Sequence, residues 1–137
     1  MNDSGPDLRS WLNTLERHGE LKRIRAEVDW REEIGAIARV NLGLSGPGLL
    51  FENIKDHQRT RCTKFLTGSL GNRRHVCLML GLPADTSEQA IVQHLKACYQ
   101  RGIPPIVVDG GPVKTHILAG ADLDLGQFPV PFWHHLD

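Results

Sequence analysis

Residues 125–137 form an apolar, aromatic segment, and this segment constrains the fold more than any other stretch. Two prolines fix the backbone of the segment in an extended form. Its large apolar side chains are Phe128, Val130, Phe132 and Trp133. A chain terminus is normally polar and frayed unless it is docked, and little chain follows to cover these side chains. We therefore expect this sequence to be the front part of a larger protein.

The charge balance bears on the kind of partner the chain can have. The sequence has 16 basic and 16 acidic residues and 40% hydrophobic residues. Recognition of nucleic acid or of an anionic membrane needs a basic excess, which is lacking here. The most basic cluster, Arg73-Arg74-His75, is interpreted as the solvated start of a helix. The length fits one domain with a single core.

The three cysteines, Cys62, Cys77 and Cys98, form no CxxC pair and are odd in number. This argues against a disulfide framework and a structural zinc site. Cys77 and Cys98 are interpreted as small residues in helix cores. Residues 1–6 are polar and lack the apolar region of a signal peptide, and no apolar run approaches the ~20 residues of a membrane span. We expect a cytoplasmic protein.

Hydrophobic periodicity predicts four helices. The first has an apolar face at Leu8, Trp11, Leu12 and Leu15, is capped by Asp7 or Ser4, and ends at Gly19. The second helix is expected to begin at an acidic capping signature, Asp29 and Glu32, and to end at Gly43. The third is expected from Asn72 to Gly81, and the fourth from Asp85-Thr86-Ser87-Glu88 to Gly102. The apolar stripe of the fourth helix comprises Ala90, Ile91, Leu95 and Cys98.

Strand signals lie between and after these helices. Residues 21–28 suit a half-exposed strand, residues 49–54 a buried strand, and residues 63–68 a strand that could pair with the preceding one as a hairpin. Further extended segments are expected at residues 106–108 and 113–118. The pattern predicts an α+β fold, in which a small mixed or antiparallel sheet has helices packed on it. Residues 1–120 are predicted to form this domain.

The glycine-rich turns lack the signature of a nucleotide site. The loop Gly43–Gly48 has no GxGxxG pattern and precedes a strand. The turn at residues 68–72 leads to a helix start that carries Arg73 and Arg74, without the GK[ST] of a P-loop. This turn is interpreted as a helix cap, with a loose anion contact as the alternative.

The histidines and acidic residues give no self-contained active site. His134 and His135 are adjacent, so on a strand they would face opposite sides. One of them is expected to face a site completed by residues that this chain lacks. The pair Asp122 and Asp124 is interpreted as a surface turn. His18 and His94 are expected at polar positions on helices, and His75 and His116 lack acidic companions nearby in sequence.

An ordered set of motifs resembles the UbiD-like decarboxylases. The match begins in residues 7–34 with stretches such as Asp7-Leu8-Arg9-Ser10-Trp11-Leu12 and Gly19-Glu20-Leu21-Lys22-Arg23-Ile24. It continues through residues 46–53, 110–114, 120–125, 128–131 and 133–134. The motifs keep the order and spacing of the family over nearly the whole chain. The ending Trp133-His134-His135-Leu136-Asp137 is more similar to the phenolic or aromatic-acid branch than to the ubiquinone branch.

This resemblance implies a chemistry for the complete protein. Such enzymes remove or add carbon dioxide on aromatic or α,β-unsaturated carboxylic acids. They use prenylated flavin mononucleotide (prFMN), with a divalent metal, often manganese, and potassium at its phosphate. The cofactor carries the chemistry while the protein supplies position and electrostatics. The family tends to form dimers or larger oligomers.

The resemblance assigns no catalytic, flavin or metal residue to this chain. The family's catalytic and metal-binding residues lie in the following domain, a split β-barrel into which residues 121–137 are expected to lead. Four glutamates match family positions, in a helical and packing region: Glu16, Glu20, Glu33 and Glu52. Only Trp133, His134 and His135 are expected near the junction with the catalytic domain.

We therefore expect the N-terminal domain of a UbiD-like decarboxylase, inactive alone. The partner would be either the missing catalytic domain or, if the chain is an accessory subunit, a separate catalytic chain. A small stand-alone flavin binder is a third alternative, which the lack of a phosphate-binding motif disfavours.

Overall fold

The computed structural model describes residues 7–134. They divide into two units. The first, here called the sheet unit, comprises the described residues 7–86 and 126–134, and the second comprises Ser87–Leu125. Between residues 7 and 134, every helix is too short or too polar to span a lipid bilayer.

The sheet unit contains a three-stranded mixed sheet and three helices. The helices are α1 (Leu8–Arg17), α2 (Glu33–Gly43) and α3 (Arg73–Leu80). The strands are β1 (Leu21–Ile24), β2 (Gly48–Phe51) and β3 (Phe65–Thr67), in the order β1-β2-β3. β1 and β2 are parallel and are connected through α2, whereas β2 and β3 are antiparallel. The predicted α+β class, the mixed sheet and the β2–β3 hairpin are confirmed.

Local hydrogen bonds explain where the predicted helices begin. The Asp7 carboxylate accepts the Ser10 N–H at 2.8 Å, while the Ser10 hydroxyl accepts the Asp7 N–H at 2.9 Å. This reciprocal cap supplies partners for backbone groups that a helix start leaves unpaired. Of the two residues predicted to cap α1, Asp7 is therefore the cap, and Ser4 lies outside the described residues. Asn72 caps α3, and Gly81 ends it in the left-handed conformation.

The start of α2 differs from the prediction. The signature at Asp29 and Glu32 does not form, because Glu32 has a φ of 63° and makes no side-chain cap. Instead, the Glu33 carboxylate accepts the Asp29 N–H at 2.7 Å. The Asp29 carboxylate accepts the Arg31 N–H at 2.9 Å and the Lys55 ammonium at 2.7 Å.

The main core lies between α2 and one face of the sheet. Its buried members are Val28, Ile34, Leu49, Phe51 and Ile54. Successive strand residues alternate between faces, so Leu50 belongs to the opposite face, and it is also buried. α1 packs against β1 and α3. Each of these two helices contributes a fully buried residue, Leu15 and Cys77 respectively.

The second unit contains α4 (Glu88–Gln100), which Ser87 caps, and two short 3-10 helices at Pro112–Lys114 and Gly120–Asp122. The predicted extended segments at 106–108 and 113–118 are not strands. Val107 is 95% exposed and Val113 88% exposed, and strand propensity has no effect without a pairing neighbour. Cys98 was expected in a helix core, but it is exposed on α4.

We expect Phe51→Ala to lower the free energy of unfolding of the sheet unit by about 3–5 kcal/mol, because it leaves a cavity in the core. Phe51 is fully buried. The control is Leu44→Ala, since Leu44 is 78% exposed; its effect should stay within about 0.5 kcal/mol. Urea denaturation followed by circular dichroism measures both. Equal effects of the two substitutions would contradict this assignment of the core.

Candidate functional site

Residues 126–134, here called the C-terminal segment, are docked on the sheet unit. The Phe132 N–H donates to the Trp30 carbonyl at 3.0 Å, and the Glu32 N–H donates to the Phe132 carbonyl at 2.7 Å. The Cys62 N–H donates to the Gln127 carbonyl at 3.1 Å. These bonds join residues far apart in sequence, and the bond to Phe132 holds Glu32 in its left-handed conformation.

The C-terminal segment approaches α2 most closely at Gly35. A Cβ atom added to Gly35 would lie 2.6 Å from the carbonyl oxygen of Trp133. Real side chains do not tolerate so short a distance to backbone, so only glycine fits here. The Trp133 ring also packs edge-on against Phe65, with ring centroids 6.2 Å apart.

The apolar surface expected at the end of the sequence is partly covered by this docking. Pro129 and Pro131 are buried and Phe132 is half-buried. Phe128, Val130 and Trp133 remain 45%, 67% and 43% exposed. The sheet unit therefore buries the prolines but leaves apolar side chains of the segment at its surface.

A second apolar surface lies on α2, which has one side on the core. We call it the outer face of α2, and it is a shallow groove lined by Ala36, Ile37, Val40, Asn41 and Leu44. Val40 is 63% exposed and Leu44 78% exposed. A helix that is apolar on several sides is typically covered on more than one of them.

A cavity of about 290 Å³ lies between α2, the sheet and the C-terminal segment. Residues of α2 form one wall, Leu49 and Thr67 belong to β2 and β3, and Trp133 and His134 lie at the cavity as well. The remaining lining residues are Gly35, Ala38, Arg39, Asn41, Leu42, Gly46, Gly68 and Gly71. The cavity therefore has mostly apolar walls, with few polar groups.

A cluster of charged side chains at one end of the sheet is organised around Glu52. Its carboxylate contacts Arg23 Nη1 at 2.8 Å, Lys64 Nζ at 3.0 Å and Arg25 Nε at 3.5 Å. Arg23 also binds both carboxylate oxygens of Glu16 on α1, at 2.8 and 3.0 Å. Hydrogen bonds from Lys64, and then from Arg23, hold the pKa of the Glu52 carboxyl below its usual value. This network ties the three strands to α1.

A second polar cluster lies beside α3. His75 is fully buried, and its Nε2 atom lies 3.0 Å from a carboxylate oxygen of Glu20, while Arg74 Nε contacts the other oxygen at 2.9 Å. The prediction that Arg73-Arg74-His75 is a solvated helix start is wrong for His75, whereas Arg73 and Arg74 are exposed. His75 has the acidic companion that the sequence did not reveal, because Glu20 is 55 residues away.

The other residues that the sequence analysis singled out are dispersed. His134 lines the cavity, and His135 lies outside the described residues. Asp122 and Asp124 are exposed, as a surface turn requires. Glu33 binds the backbone before α2. His18 ends α1, His116 is exposed, and His94 lies 3.5 Å from the Cys98 sulfur on α4.

The described residues do not fit a flavin or a metal centre. Within residues 7–134, no group of three or more His, Cys, Asp or Glu side chains is arranged to hold a metal ion. The cavity of about 290 Å³ lies below the range of roughly 300–1,000 Å³ for drug-sized ligands, and a flavin nucleotide is larger still. No chemistry of such a group is assigned to these side chains.

Sequence reasoning missed two residues. His57 is 7% exposed and packs edge-on against Trp30, with its Nδ1 atom 3.3 Å from the Thr60 hydroxyl. Arg39 is an exposed residue of α2 that also lies at the cavity. Neither residue has a local motif, since each one's surroundings come from distant parts of the chain.

Comparison with known proteins gives the family. Residues 12–95 match the family model of the 3-octaprenyl-4-hydroxybenzoate carboxy-lyase N-terminal domain, which is the N-terminal domain of the UbiD family. The chain belongs to this family. The resemblance inferred from the motifs is thereby confirmed.

Individual relatives are decarboxylases of greater length. The chain is 34% identical to the pyrrole-2-carboxylic acid decarboxylase of Pseudomonas aeruginosa, over 100% of this chain and 29% of that protein. It is similar to an evolved dimeric form of the UbiD-class enzyme HmfF from Pelotomaculum thermopropionicum in complex with prFMN (TM-score 0.74, 32% identity, 92% of this chain and 28% of that one). It is also similar to the closed form of vanillic acid decarboxylase (ShVdcCD) from Sedimentibacter hydroxybenzoicus (TM-score 0.66, 32% identity, 75% and 21%). The chain thus spans less than a third of the length of these relatives.

We expect Gly35→Ala to lower the free energy of unfolding by about 1–3 kcal/mol, because the new Cβ would force the C-terminal segment away from α2. The matched control is Gly43→Ala on the same helix, where a Cβ would meet nothing within 4 Å. There the substitution should raise stability by about 0.5 kcal/mol, because alanine favours helix. Urea denaturation measures both, and a stabilising effect at position 35 would contradict the close approach.

We expect Glu52→Gln to lower the free energy of unfolding near pH 7 by about 1 kcal/mol. Because folding lowers the pKa of Glu52 from its ordinary 4.5, the unfolded chain binds the proton more readily. The stabilisation is therefore complete above the unfolded pKa and is lost as the pH falls through the folded pKa. Urea denaturation should show the difference between wild type and variant shrinking from about pH 7 to about pH 3.

The matched control for this pH series is Glu32→Gln. The Glu32 side chain makes no cap hydrogen bond and no ion pair within residues 7–134. Its substitution should leave the pH dependence of stability unchanged. If the two variants follow the same pH profile, the Glu52 network is not its source.

Proposed function

We propose that this chain is the N-terminal domain of a decarboxylase that acts non-oxidatively on aromatic or α,β-unsaturated carboxylic acids with prFMN. The observation that carries the proposal is family membership together with partial length: the chain matches 29% of a pyrrole-2-carboxylic acid decarboxylase over its own entire length. In the complete enzyme, a divalent metal such as manganese and potassium would accompany the flavin in the following domain. A cytoplasmic location and a homo-oligomeric enzyme belong to the same proposal.

In this role the domain works by packing against the flavin-binding domain. Residues 1–120 would form the domain proper, and residues 121–137 the connection. The exposed apolar side chains of the sheet unit support this, notably Val40 and Leu44 on the outer face of α2 and Val130 and Trp133 on the C-terminal segment. Apolar surface of this kind marks an interaction site in soluble proteins.

The alternative is an accessory subunit that docks on a separate catalytic chain. One observation favours keeping it: the structure of the related vanillic acid decarboxylase, ShVdcCD, includes a separately named component, ShVdcD. Decarboxylases related to this chain can therefore contain more than one component.

We expect the purified chain, supplied with prFMN, manganese and potassium, to release no carbon dioxide from pyrrole-2-carboxylate or vanillate. The residues that would hold the cofactor belong to the following domain in this proposal. Carbon dioxide release and isotope exchange are the measurements, with the Pseudomonas aeruginosa decarboxylase as the positive control. Turnover by the chain alone would refute the proposal.

Docking is tested with two forms of that Pseudomonas aeruginosa enzyme. One is complete, and the other lacks the N-terminal region that matches this chain. If this chain can take the place of the missing region, it should co-elute only with the shortened form in size-exclusion chromatography. In the complete form, the enzyme's own N-terminal region already covers the docking surface. Binding to the complete form would favour the accessory role, and binding to neither would count against docking.

A further inference from the structure

The cavity of the sheet unit has a wall in which α2 is bonded to the turn before β2. Asn41 Nδ2 donates to the Pro47 carbonyl at 2.8 Å, which ties α2 to the turn before β2. Two of the glycines at the wall, Gly71 and Gly46, lie where a Cβ would meet a neighbouring side chain. A Cβ on Gly71 would lie 3.1 Å from Leu42 Cδ1, and one on Gly46 would collide with the Asn41 side chain. The glycines therefore let this part of the wall pack closely, and the cavity opens to solvent beside the exposed residues Arg39 and Trp133.

The cavity lining combines apolar side chains with one arginine. Leu42, Leu49, Ala38 and Trp133 present apolar surface, and among the described lining residues there is no aspartate or glutamate. The charged lining residue is Arg39, which makes no ion pair or hydrogen bond to another residue within 7–134. A guanidinium beside an apolar cavity attracts an anion, and its planar fork matches a carboxylate.

The size of the cavity limits the ligand. Sites for drug-sized ligands occupy roughly 300–1,000 Å³, and this cavity of about 290 Å³ lies just below that range. It therefore fits a molecule of one ring. The indole of Trp133 offers an aromatic surface against which such a ring can pack.

We propose that this cavity binds a monocyclic aromatic carboxylate, with the ring against the apolar walls and the carboxylate paired with Arg39. The site consists entirely of residues of this chain and needs no flavin. The inference therefore goes beyond the proposed function, and binding can be measured where no decarboxylation occurs. Its failure and the failure of the proposed function are thus separate results.

The experiment titrates the ¹⁵N-labelled chain with benzoate and follows the backbone amides by NMR. We expect progressive shifts of the amide signals of Gly35, Gly46, Gly68 and Gly71, with a dissociation constant in the millimolar range. Benzamide has the same ring without the charge, and it should bind about fivefold more weakly. If the four glycine signals stay unmoved by benzoate up to its solubility limit, the proposal is overturned. Equal affinity for benzamide would overturn the pairing with Arg39.

Matched variants separate the two halves of the site. Ala38→Leu fills the cavity and should abolish the benzoate shifts, whereas Ala36→Leu, on the outer face of the same helix, should leave them intact. Arg39→Gln should lower the affinity for benzoate about fivefold, to that for benzamide, and should leave the affinity for benzamide unchanged. Arg59→Gln, at an exposed arginine outside the cavity, should change neither. If Ala36→Leu acts like Ala38→Leu, or Arg59→Gln acts like Arg39→Gln, the site is not this cavity.

Discussion

The contact between Gly35 of α2 and the backbone of Trp133 is the constraint on which the rest of the sheet unit depends. Because glycine lacks a Cβ, the C-terminal segment can lie against the helix itself. The neighbouring residue, Phe132, then reaches the backbone of Trp30 and Glu32. These two hydrogen bonds fix the start of α2 in a left-handed conformation that its own sequence would not adopt. One close approach thus sets the position of α2, the path of the segment and a wall of the cavity.

The same contact explains why the apolar surface is only partly covered. α2 uses one side for the core and a second for the C-terminal segment, so the side with Val40 and Leu44 stays at the surface. The segment buries Pro129 and Pro131 and turns Val130 outward. A sheet of three strands is too small to cover all of these side chains. The exposed remainder agrees with a family in which this region is less than a third of the protein.

Features encoded by neighbours in sequence could be predicted, and features encoded by distant residues could not. Asp7, Asn72 and Ser87 cap helices through hydrogen bonds to residues three positions away, so the sequence displays both partners. The start of α2 was predicted wrongly because its decisive partner, Phe132, is 100 positions from Glu32. The strand predicted at 113–118 failed because a strand needs a pairing partner as well as β-branched residues. The cavity has no sequence signal, since its lining residues come from α2, β2, β3 and the C-terminal segment, which are separated along the chain.

Arg39 is distinguished from the other cations of the sheet unit by its position at the cavity. Arg23 and Lys64 share the Glu52 carboxylate, and Arg74 binds Glu20, so these cations have anionic partners within the fold. An exposed arginine without a partner is ordinary when water surrounds it. Arg39 is also exposed, but it borders apolar walls against which the ring of a ligand can pack. An anion that also carries an apolar ring therefore gains from both parts of the site, whereas a simple anion or a neutral ring gains from one.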